Sequence, residues 1–106
     1  MISKPWGSEE ILFMNCEYLF KRLFMKKGSQ CSYQYHEKKV ETVYVVSGLL
    51  ELIMEDRVVT LHANDYYTIT PSVRHRMRGL ENTFYFEASS ACPDDVIRIE
   101  DDYGRV

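Results

Sequence analysis

An all-β domain is the fold class that the sequence predicts, and three observations favour it. The chain divides into short runs rich in β-branched and aromatic residues, of which Thr42–Ser47 is the clearest. Turn-forming residues separate these runs along most of the chain. No stretch of helical length carries a convincing 3.6-residue hydrophobic period. Short strands punctuated by turns in this way are typical of a β-sandwich or β-barrel.

The individual strands follow from the same signals, taken in chain order. Lys26–Ser29 and Ala63–Asp65 are predicted turns, Glu37–Lys39 is a charged loop, and Gly48 ends the run that Glu41 opens. The predicted strands are Glu10–Met14, Tyr18–Met25, Cys31–His36, Glu41–Ser47, Leu49–Met54, Arg57–Leu61, Tyr66–Thr70, Arg74–Arg78 and Thr83–Ala88. Asp94–Glu100 fits a late strand and a short helical turn equally well, so its structure stays open.

The composition indicates one ordinary globular domain spanning residues 1–106. Hydrophobic residues make up 45% and charged residues 27%, and the formal net charge is -3. That charge gives no general attraction to nucleic acid or to an anionic membrane. The longest apolar runs are too short to span a bilayer, and the first residues lack the apolar segment of a signal peptide. Three scattered cysteines, Cys16, Cys31 and Cys92, favour a reduced, cytoplasmic protein.

Four residues have the chemistry of a metal site: Gln34, His36, Glu41 and His75. Gln34 and His36 are two positions apart, so on a strand both side chains point to the same face. Their nitrogen and oxygen atoms suit one divalent ion, and zinc, manganese, iron, cobalt and nickel all remain possible. The alternative is a group of polar residues that only hydrogen-bond to one another inside a barrel.

The spacing of these residues resembles the first cupin motif. Gly28 precedes Gln34 and His36, and Glu41 is followed by Gly48, as in that motif, although most cupins have histidine at the position of Gln34. The second motif is matched less well. Pro71 and His75 are present, but Asp65 replaces the first glycine and the inner glycine is missing. The resemblance implies a jelly-roll barrel, also called a double-stranded β-helix, with the four residues as metal ligands.

The two ends of the chain resemble one subgroup of cupins. Pro5–Ser8 near the start and Asp95–Arg105 at the end are similar to the ends of the isomerase domain of type II mannose-6-phosphate isomerases. That domain also has glutamine at the position of Gln34, and it is usually fused behind a mannose-1-phosphate guanylyltransferase domain, whose motifs are absent here. The resemblance implies a metal-dependent isomerase that interconverts mannose 6-phosphate and fructose 6-phosphate.

The loop beside the ligands departs from the family pattern. The family has further histidines where this chain has Glu37 and Lys38, and arginine where it has Lys39. Thr42 and Val43 replace a histidine and a tryptophan. Lys39 is the catalytic residue that the resemblance implies, while Glu37 is only nearby. The altered loop favours a rival function, a non-catalytic cupin that binds a sugar or sugar nucleotide in a polysaccharide pathway.

Basic residues supply candidates for binding a sugar phosphate. Lys21 and Arg22 have opposite orientations on a strand, so one of them should face the cavity. Arg105 lies in the terminal signature, and the resemblance suggests that it closes over the cavity mouth. If His75 points inward, the alternation of a strand turns the neighbouring arginines outward, away from a substrate. These outward-facing residues are Arg74, Arg76 and Arg78.

An apolar stripe on the outer surface predicts a homodimer. Tyr35 has the opposite orientation to the candidate ligands on its strand, and Tyr44 and Val46 have the opposite orientation to Glu41. Exposed apolar patches often mark a protein partner, and symmetric dimers are the commonest oligomers. A third functional class, a metal-dependent dioxygenase, usually requires a histidine-rich iron site, and Gln34 disfavours it.

Overall fold

Eleven strands form two antiparallel sheets in the computed structural model, which describes residues 1–106. The strands are β1 (Ile2–Lys4), β2 (Gly7–Met14), β3 (Tyr18–Met25), β4 (Tyr33–Tyr35), β5 (Glu41–Ser47), β6 (Leu49–Met54), β7 (Val58–His62), β8 (Tyr66–Ile69), β9 (His75–Gly79), β10 (Thr83–Ser90) and β11 (Ile97–Glu100). No helix of the length and apolar character needed to cross a lipid bilayer is present.

The order of the strands brings distant parts of the chain together. The first sheet has the order β1-β2-β3-β10-β5-β8, and the second has the order β11-β4-β9-β6-β7. Strand β10 therefore pairs with β3 on one side and β5 on the other, although both precede it by many residues. Two packed antiparallel sheets connected in this way confirm the predicted all-β jelly-roll barrel.

Alternation of side chains along β5 explains how one strand serves both the interior and the surface. Glu41, Val43 and Val45 face inward and are almost completely buried, whereas Tyr44 and Val46 face outward and are exposed. This period of two is what a strand with one buried face requires. A slip of one residue in the register would move Glu41 out of the barrel, so the apolar valines fix the position of the carboxylate.

The apolar core borders a polar cavity directly. Five of its buried residues also line the cavity described below: Trp6, Leu23, Cys31, Met77 and Tyr85. The complete core consists of Trp6, Leu23, Met25, Cys31, Val43, Val45, Leu50, Leu52, Met54, Leu61, Ile69, Met77 and Tyr85. One wall of the cavity is thus made of closely packed side chains, which give polar groups around it a rigid support.

Gly48 shows why the first cupin motif ends in glycine. Its φ of 101° places it in the left-handed region that disfavours other residues. A Cβ atom at this position would lie 2.4 Å from the carbonyl oxygen of Asn82. Both observations exclude a larger residue without local rearrangement, so the tight connection between β5 and β6 depends on glycine.

The strand boundaries differ from the predictions mainly at the two ends of the chain. Strand β1 was not predicted, β2 begins at Gly7 rather than at residue 10, and β4 is shorter than predicted. The open segment before residue 100 forms the strand Ile97–Glu100. Polar residues such as Ser8 and Glu9 have weak strand preference, yet they pair across a tight hairpin with Ser3 and Ile2.

The predicted apolar stripe is not continuous. Tyr44 and Val46 lie on the outer face of the six-stranded sheet, but Tyr35 belongs to the other sheet and lies beneath the guanidinium of Arg74. The predicted outward orientation of Tyr44 and Val46 on β5 is confirmed. The prediction that Tyr35 of β4 lies on the same face is wrong. The reason is that β4 and β5, adjacent in sequence, belong to different sheets.

Candidate metal centre

Three buried side chains converge inside the barrel. The Nε2 atoms of His36 and His75 lie 3.1 and 3.2 Å from the same oxygen, Oε1 of Glu41. His36 precedes the loop that leads to β5, Glu41 opens β5, and His75 opens β9. All three residues are at least 97% buried, and their ligand atoms lie within 4.8 Å of one another. The cluster can therefore hold a metal ion.

Main-chain carbonyl groups orient both imidazole rings. The Nδ1 atom of His75 lies 2.9 Å from the carbonyl oxygen of Val73, and that of His36 contacts the carbonyl oxygen of Asp95. Because a carbonyl oxygen only accepts hydrogen bonds, the proton must be on Nδ1 in each ring. A neutral ring then directs the lone pair of Nε2 at the centre, as metal-ligating histidines do.

This arrangement fits a metal better than it fits a purely polar cluster. Nε2 of His75 is buried and has no hydrogen-bond partner of acceptable geometry, although Glu41 lies beside it. Without a cation, each ring can satisfy both neighbours only as an imidazolium, which donates from both nitrogens. With a divalent ion, both rings are satisfied in their neutral form. The donor set of two nitrogens and a carboxylate is typical of zinc, iron and related ions.

Glu41 has the ionisation state that a metal ligand needs. Burial alone would raise its pKa, but in the metal-free protein the N–H groups of His36 and His75 and the ammonium of Lys39 together hold the pKa well below its usual range. The Nζ atom of Lys39 lies 3.6 Å from Oε2 of Glu41. The buried carboxylate is thus compensated on both of its oxygens.

Gln34 lies beside these three residues on β4. Its Cα pairs in register with His75, and its side chain lines the same cavity. Its Oε1 accepts a hydrogen bond of 2.6 Å from the hydroxyl of Ser32. The structure therefore brings Gln34 to the cavity beside the three clustered side chains, with its amide oxygen held by the hydroxyl of Ser32.

Asp95 stabilises the loop from Glu37 to Lys39 by hydrogen bonds. Sequence reasoning did not identify this residue as part of the site. Its carboxylate accepts hydrogen bonds of 3.0, 2.8 and 2.9 Å from the backbone N–H groups of Glu37, Lys38 and Lys39. These backbone donors keep the pKa of Asp95 below its usual range. Its carbonyl oxygen also orients His36. The same residue thus positions both the loop and a candidate ligand.

A cavity of about 130 Å³ adjoins the cluster. It is lined by Trp6, Leu23, Cys31, Ser32, Met77, Tyr85, Pro93 and Val96, by the candidate ligands Gln34, His36 and Glu41, and by the charged residues Lys4, Glu9, Lys21, Lys39, Glu87, Arg98 and Arg105. Its wall is therefore partly apolar and strongly charged. Such a lining suits a small polar ligand that carries charge.

The structure distinguishes Lys21 from Arg22. Lys21 faces the cavity, where its Nζ lies 2.9 Å from Oε1 of Glu9. Arg22 lies on the outer face, half exposed, and its Nη2 pairs with Oε2 of Glu10 at 2.9 Å. This placement corrects the expectation that Arg22 contacts a substrate in the cavity, because adjacent residues on a strand point to opposite faces.

Arg105 and the three arginines around His75 take clearly different positions. Arg105 lines the cavity, as its place in the terminal signature suggested. The arginines Arg74, Arg76 and Arg78 do not line it. Arg76 is nevertheless largely covered, because its guanidinium packs against the C-terminal segment near Glu100 and Asp102.

Glu87 lines the cavity, and it is another residue of the site that sequence reasoning missed. It faces inward from the middle of β10, it is 94% buried, and no hydrogen bond to its carboxyl group is present. Burial raises the pKa of this carboxyl to about 8, and the negative charge of Glu41 adds to the effect, while Lys39 and Lys21 oppose it. The available signal was its alternation with Tyr85 along an apolar strand, which places an acid among core positions.

Curated relatives match almost the whole chain but only a small part of their own length. The xanthan biosynthesis protein XanB of Xanthomonas campestris is 33% identical over 109 residues, which cover 98% of this chain and 23% of XanB. A mannose-1-phosphate guanylyltransferase of Sinorhizobium fredii is 29% identical over 93% of this chain and 20% of its own length. The matches lie in the C-terminal portions of these relatives, as the resemblance to the isomerase domain predicted.

A solved structure and a family profile agree on the fold. KdgF from Halomonas superposes with a TM-score of 0.80 at 20% identity, covering 87% of this chain and 84% of that one. The profile of the cupin domain family Cupin_2 matches residues 22–87, which is more than half of the chain and includes His36, Glu41 and His75. The chain therefore belongs to the cupin domain family.

Proposed function

We propose that this protein is a metal-dependent sugar-phosphate isomerase that interconverts mannose 6-phosphate and fructose 6-phosphate. The observation that carries the proposal is the convergence of His36, Glu41 and His75 beside a cavity with a charged lining. Similarity to polysaccharide-biosynthesis proteins such as XanB supports a substrate from sugar metabolism.

The candidate ligands have the chemistry that the reaction needs. Gln34, His36, Glu41 and His75 would hold the metal, which supplies polarisation of the sugar carbonyl and stabilisation of the negative charge on its oxygen. The carbonyl groups of Val73 and Asp95 keep the two imidazoles in the ligating orientation.

A proton must leave the second carbon of the aldose and return at the first carbon of the enediol. Lys39, the residue indicated by the family resemblance, is engaged in an ion pair with Glu41. Glu87 has no such partner and faces the cavity. In the metal-free protein, burial and the negative charge of Glu41 raise the pKa of its carboxyl to about 8, near the pH at which a general base is most effective. Glu87 is therefore the better candidate for the proton transfer. Lys39 instead compensates the negative charge of Glu41, a candidate metal ligand.

Solvent exchange tests the reaction without assuming a product. In deuterated buffer, the metal-loaded protein should incorporate deuterium at the second carbon of mannose 6-phosphate, followed by proton NMR. Removal of the metal with a chelator should stop the exchange, and returning the metal should restore it. If the loaded protein neither exchanges a proton of mannose 6-phosphate or fructose 6-phosphate with solvent nor interconverts the two sugars, the isomerase proposal is wrong.

One observation favours a second candidate, a cupin that binds a sugar or sugar nucleotide without turnover. The loop between the ligands carries Glu37 and Lys38, which are exposed and do not line the cavity. Fewer loop side chains are therefore available for recognition and chemistry than in the family pattern. Saturable sugar-phosphate binding without proton exchange would identify this second function.

We also propose that two copies of the chain pair through the outer face of the six-stranded sheet. Val46 is 44% and Phe84 47% exposed there, and Tyr44 pairs in register with Phe86 on the same face. Val46→Lys should convert a dimer into a monomer in light scattering at micromolar concentration, because it places a charge in an apolar contact. Val58→Lys on the other sheet, 57% exposed, is the control and should leave the dimer intact. A monomeric wild-type protein would refute this arrangement.

A further inference from the structure

The five basic residues that line the cavity differ in their partners. Lys4, Lys21 and Lys39 each have a lining glutamate within 4.0 Å, and Arg105 pairs with Asp101. The remaining basic residue, Arg98, has no carboxylate within that distance, and its Nε atom is buried without a hydrogen-bond partner. A buried, unpaired guanidinium nitrogen is costly unless something else satisfies it. Arg98 is thus the one lining cation that the protein does not neutralise.

The position of Arg98 connects it to the metal centre. It lies on β11, and its Cα pairs in register with Gln34, which in turn pairs with His75. A group bound by Arg98 would therefore lie on the same side of the barrel as the candidate ligands. A substrate that contacts both must be short and must carry negative charge at the end next to Arg98.

Arg105 lines the same cavity as Arg98, and its guanidinium is held by two hydrogen bonds. Its Nε and Nη2 atoms donate to the two oxygens of Asp101 at 2.9 Å each, and the side chain of Asp101 is completely buried. This pairing lowers the pKa of Asp101 to about 2 and raises the pKa of Arg105. The bidentate contact fixes the guanidinium while leaving its Nη1 edge free, so little side-chain entropy is lost when it binds an anion.

We propose that Arg98 and Arg105 form a subsite for the phosphate group of a phosphate monoester. The inference rests on the proposed function for the identity of the sugar, but the binding of phosphate can be measured without turnover. Two planar guanidinium groups offer parallel N–H donors that match the oxygens of a phosphate. Lys21 and Lys39 are less suitable for binding phosphate, because each is paired with a glutamate. A phosphate dianion beside them would be repelled by the carboxylates of Glu9 and Glu41.

The test compares the binding of mannose 6-phosphate, inorganic phosphate and mannose by isothermal calorimetry. Arg98→Gln should weaken the binding of both phosphate-containing ligands by about 10- to 100-fold, the effect of losing a hydrogen bond to a charged group. Binding of mannose should not change. Arg98→Lys keeps the charge but loses the planar donor pair, so it should fall between wild type and Arg98→Gln. Arg57→Gln, an exposed arginine in the β6–β7 hairpin, is the charge-matched control and should bind like wild type.

The outcomes separate this subsite from the isomerase proposal. Weakened phosphate binding in Arg98→Gln supports the subsite whether or not solvent exchange is observed. Unchanged binding in both Arg98 variants overturns the subsite, even if the wild type is an active isomerase. Absence of phosphate binding by the wild type at millimolar concentration overturns it as well. Because Nε of Arg98 has no partner in the protein, the glutamine variant removes no internal hydrogen bond from that atom and should fold.

Discussion

His75→Ala should abolish stoichiometric metal binding. The substitution removes a candidate ligand that is completely buried, and it leaves His36 as the only imidazole beside Glu41. Replacement of residues that only orient a ligand already costs roughly 10- to 100-fold in metal affinity, so loss of the ligand itself should exceed that range. Equilibrium dialysis of untagged protein against Zn²⁺ or Mn²⁺, with the bound metal measured by mass spectrometry, gives the result directly.

His62→Ala supplies the matched control. This third histidine lies at the end of β7, and its side chain is 70% exposed. It should bind metal as the wild type does, which would assign the loss in His75→Ala to the buried cluster. Equal metal content in the two variants would contradict the assignment of the centre. Circular dichroism of both variants checks that the barrel is retained.

Glu87→Gln should reduce proton exchange by roughly 100- to 10,000-fold, the usual contribution of a general acid or base. Glutamine preserves the size of the side chain but cannot accept the proton, and it adds no charge to the cavity. Metal content and sugar-phosphate binding should remain near those of wild type. Glu81→Gln, an exposed acid next to β10, is the control and should exchange normally.

Lys39→Met decides between the two candidate bases. It removes the ammonium next to Glu41 while keeping the apolar part of the side chain. If Glu87 transfers the proton, Lys39→Met should lower activity less than Glu87→Gln. A larger loss in Lys39→Met, together with normal exchange in Glu87→Gln, would assign the transfer to Lys39.

Glu87 should also affect how the stability of the fold depends on pH, which can be measured without turnover. Burial raises the pKa of its carboxyl in the folded, metal-free protein to about 8, from an ordinary value of 4.5. The folded protein therefore keeps a proton that the unfolded chain releases, so this group stabilises the metal-free fold most below pH 4.5 and loses that contribution as pH rises to about 8. In the metal-free protein, Glu87→Gln should flatten this decline in thermal denaturation. An unchanged pH profile would show that the carboxyl is already ionised.

The elements with regular alternation were predictable from the sequence. In β5 the valines and Glu41 occupy every second position, so both the strand and the inward direction of the carboxylate could be read before the structure. His36 and His75 were found because few residue types bind metals and their spacing matched a known motif. The hairpin formed by β1 and β2 was missed because long-range pairing overrides the weak preference of its polar residues.

Three residues of the site could not be identified from the sequence for a common physical reason. Glu87, Arg98 and Asp95 are ordinary charged residues in local context, and their roles depend on which distant groups surround them. Arg98 is unusual only because no acid lies beside it. The same limit applies to Arg22. The sequence predicted that either Lys21 or Arg22 faces the cavity, but not which of the two.

The contacts of Asp95 set an order of events during synthesis of the chain. His36 is synthesised early, but the carbonyl group that orients it belongs to Asp95, 59 positions later in the chain. The loop from Glu37 to Lys39 likewise lacks its anchoring carboxylate until that residue has left the ribosome. A nascent chain that ends before residue 95 would present His36 without the carbonyl group that orients it. We therefore expect the candidate metal centre formed by His36, Glu41 and His75 to reach its final geometry only after residue 95 has been synthesised.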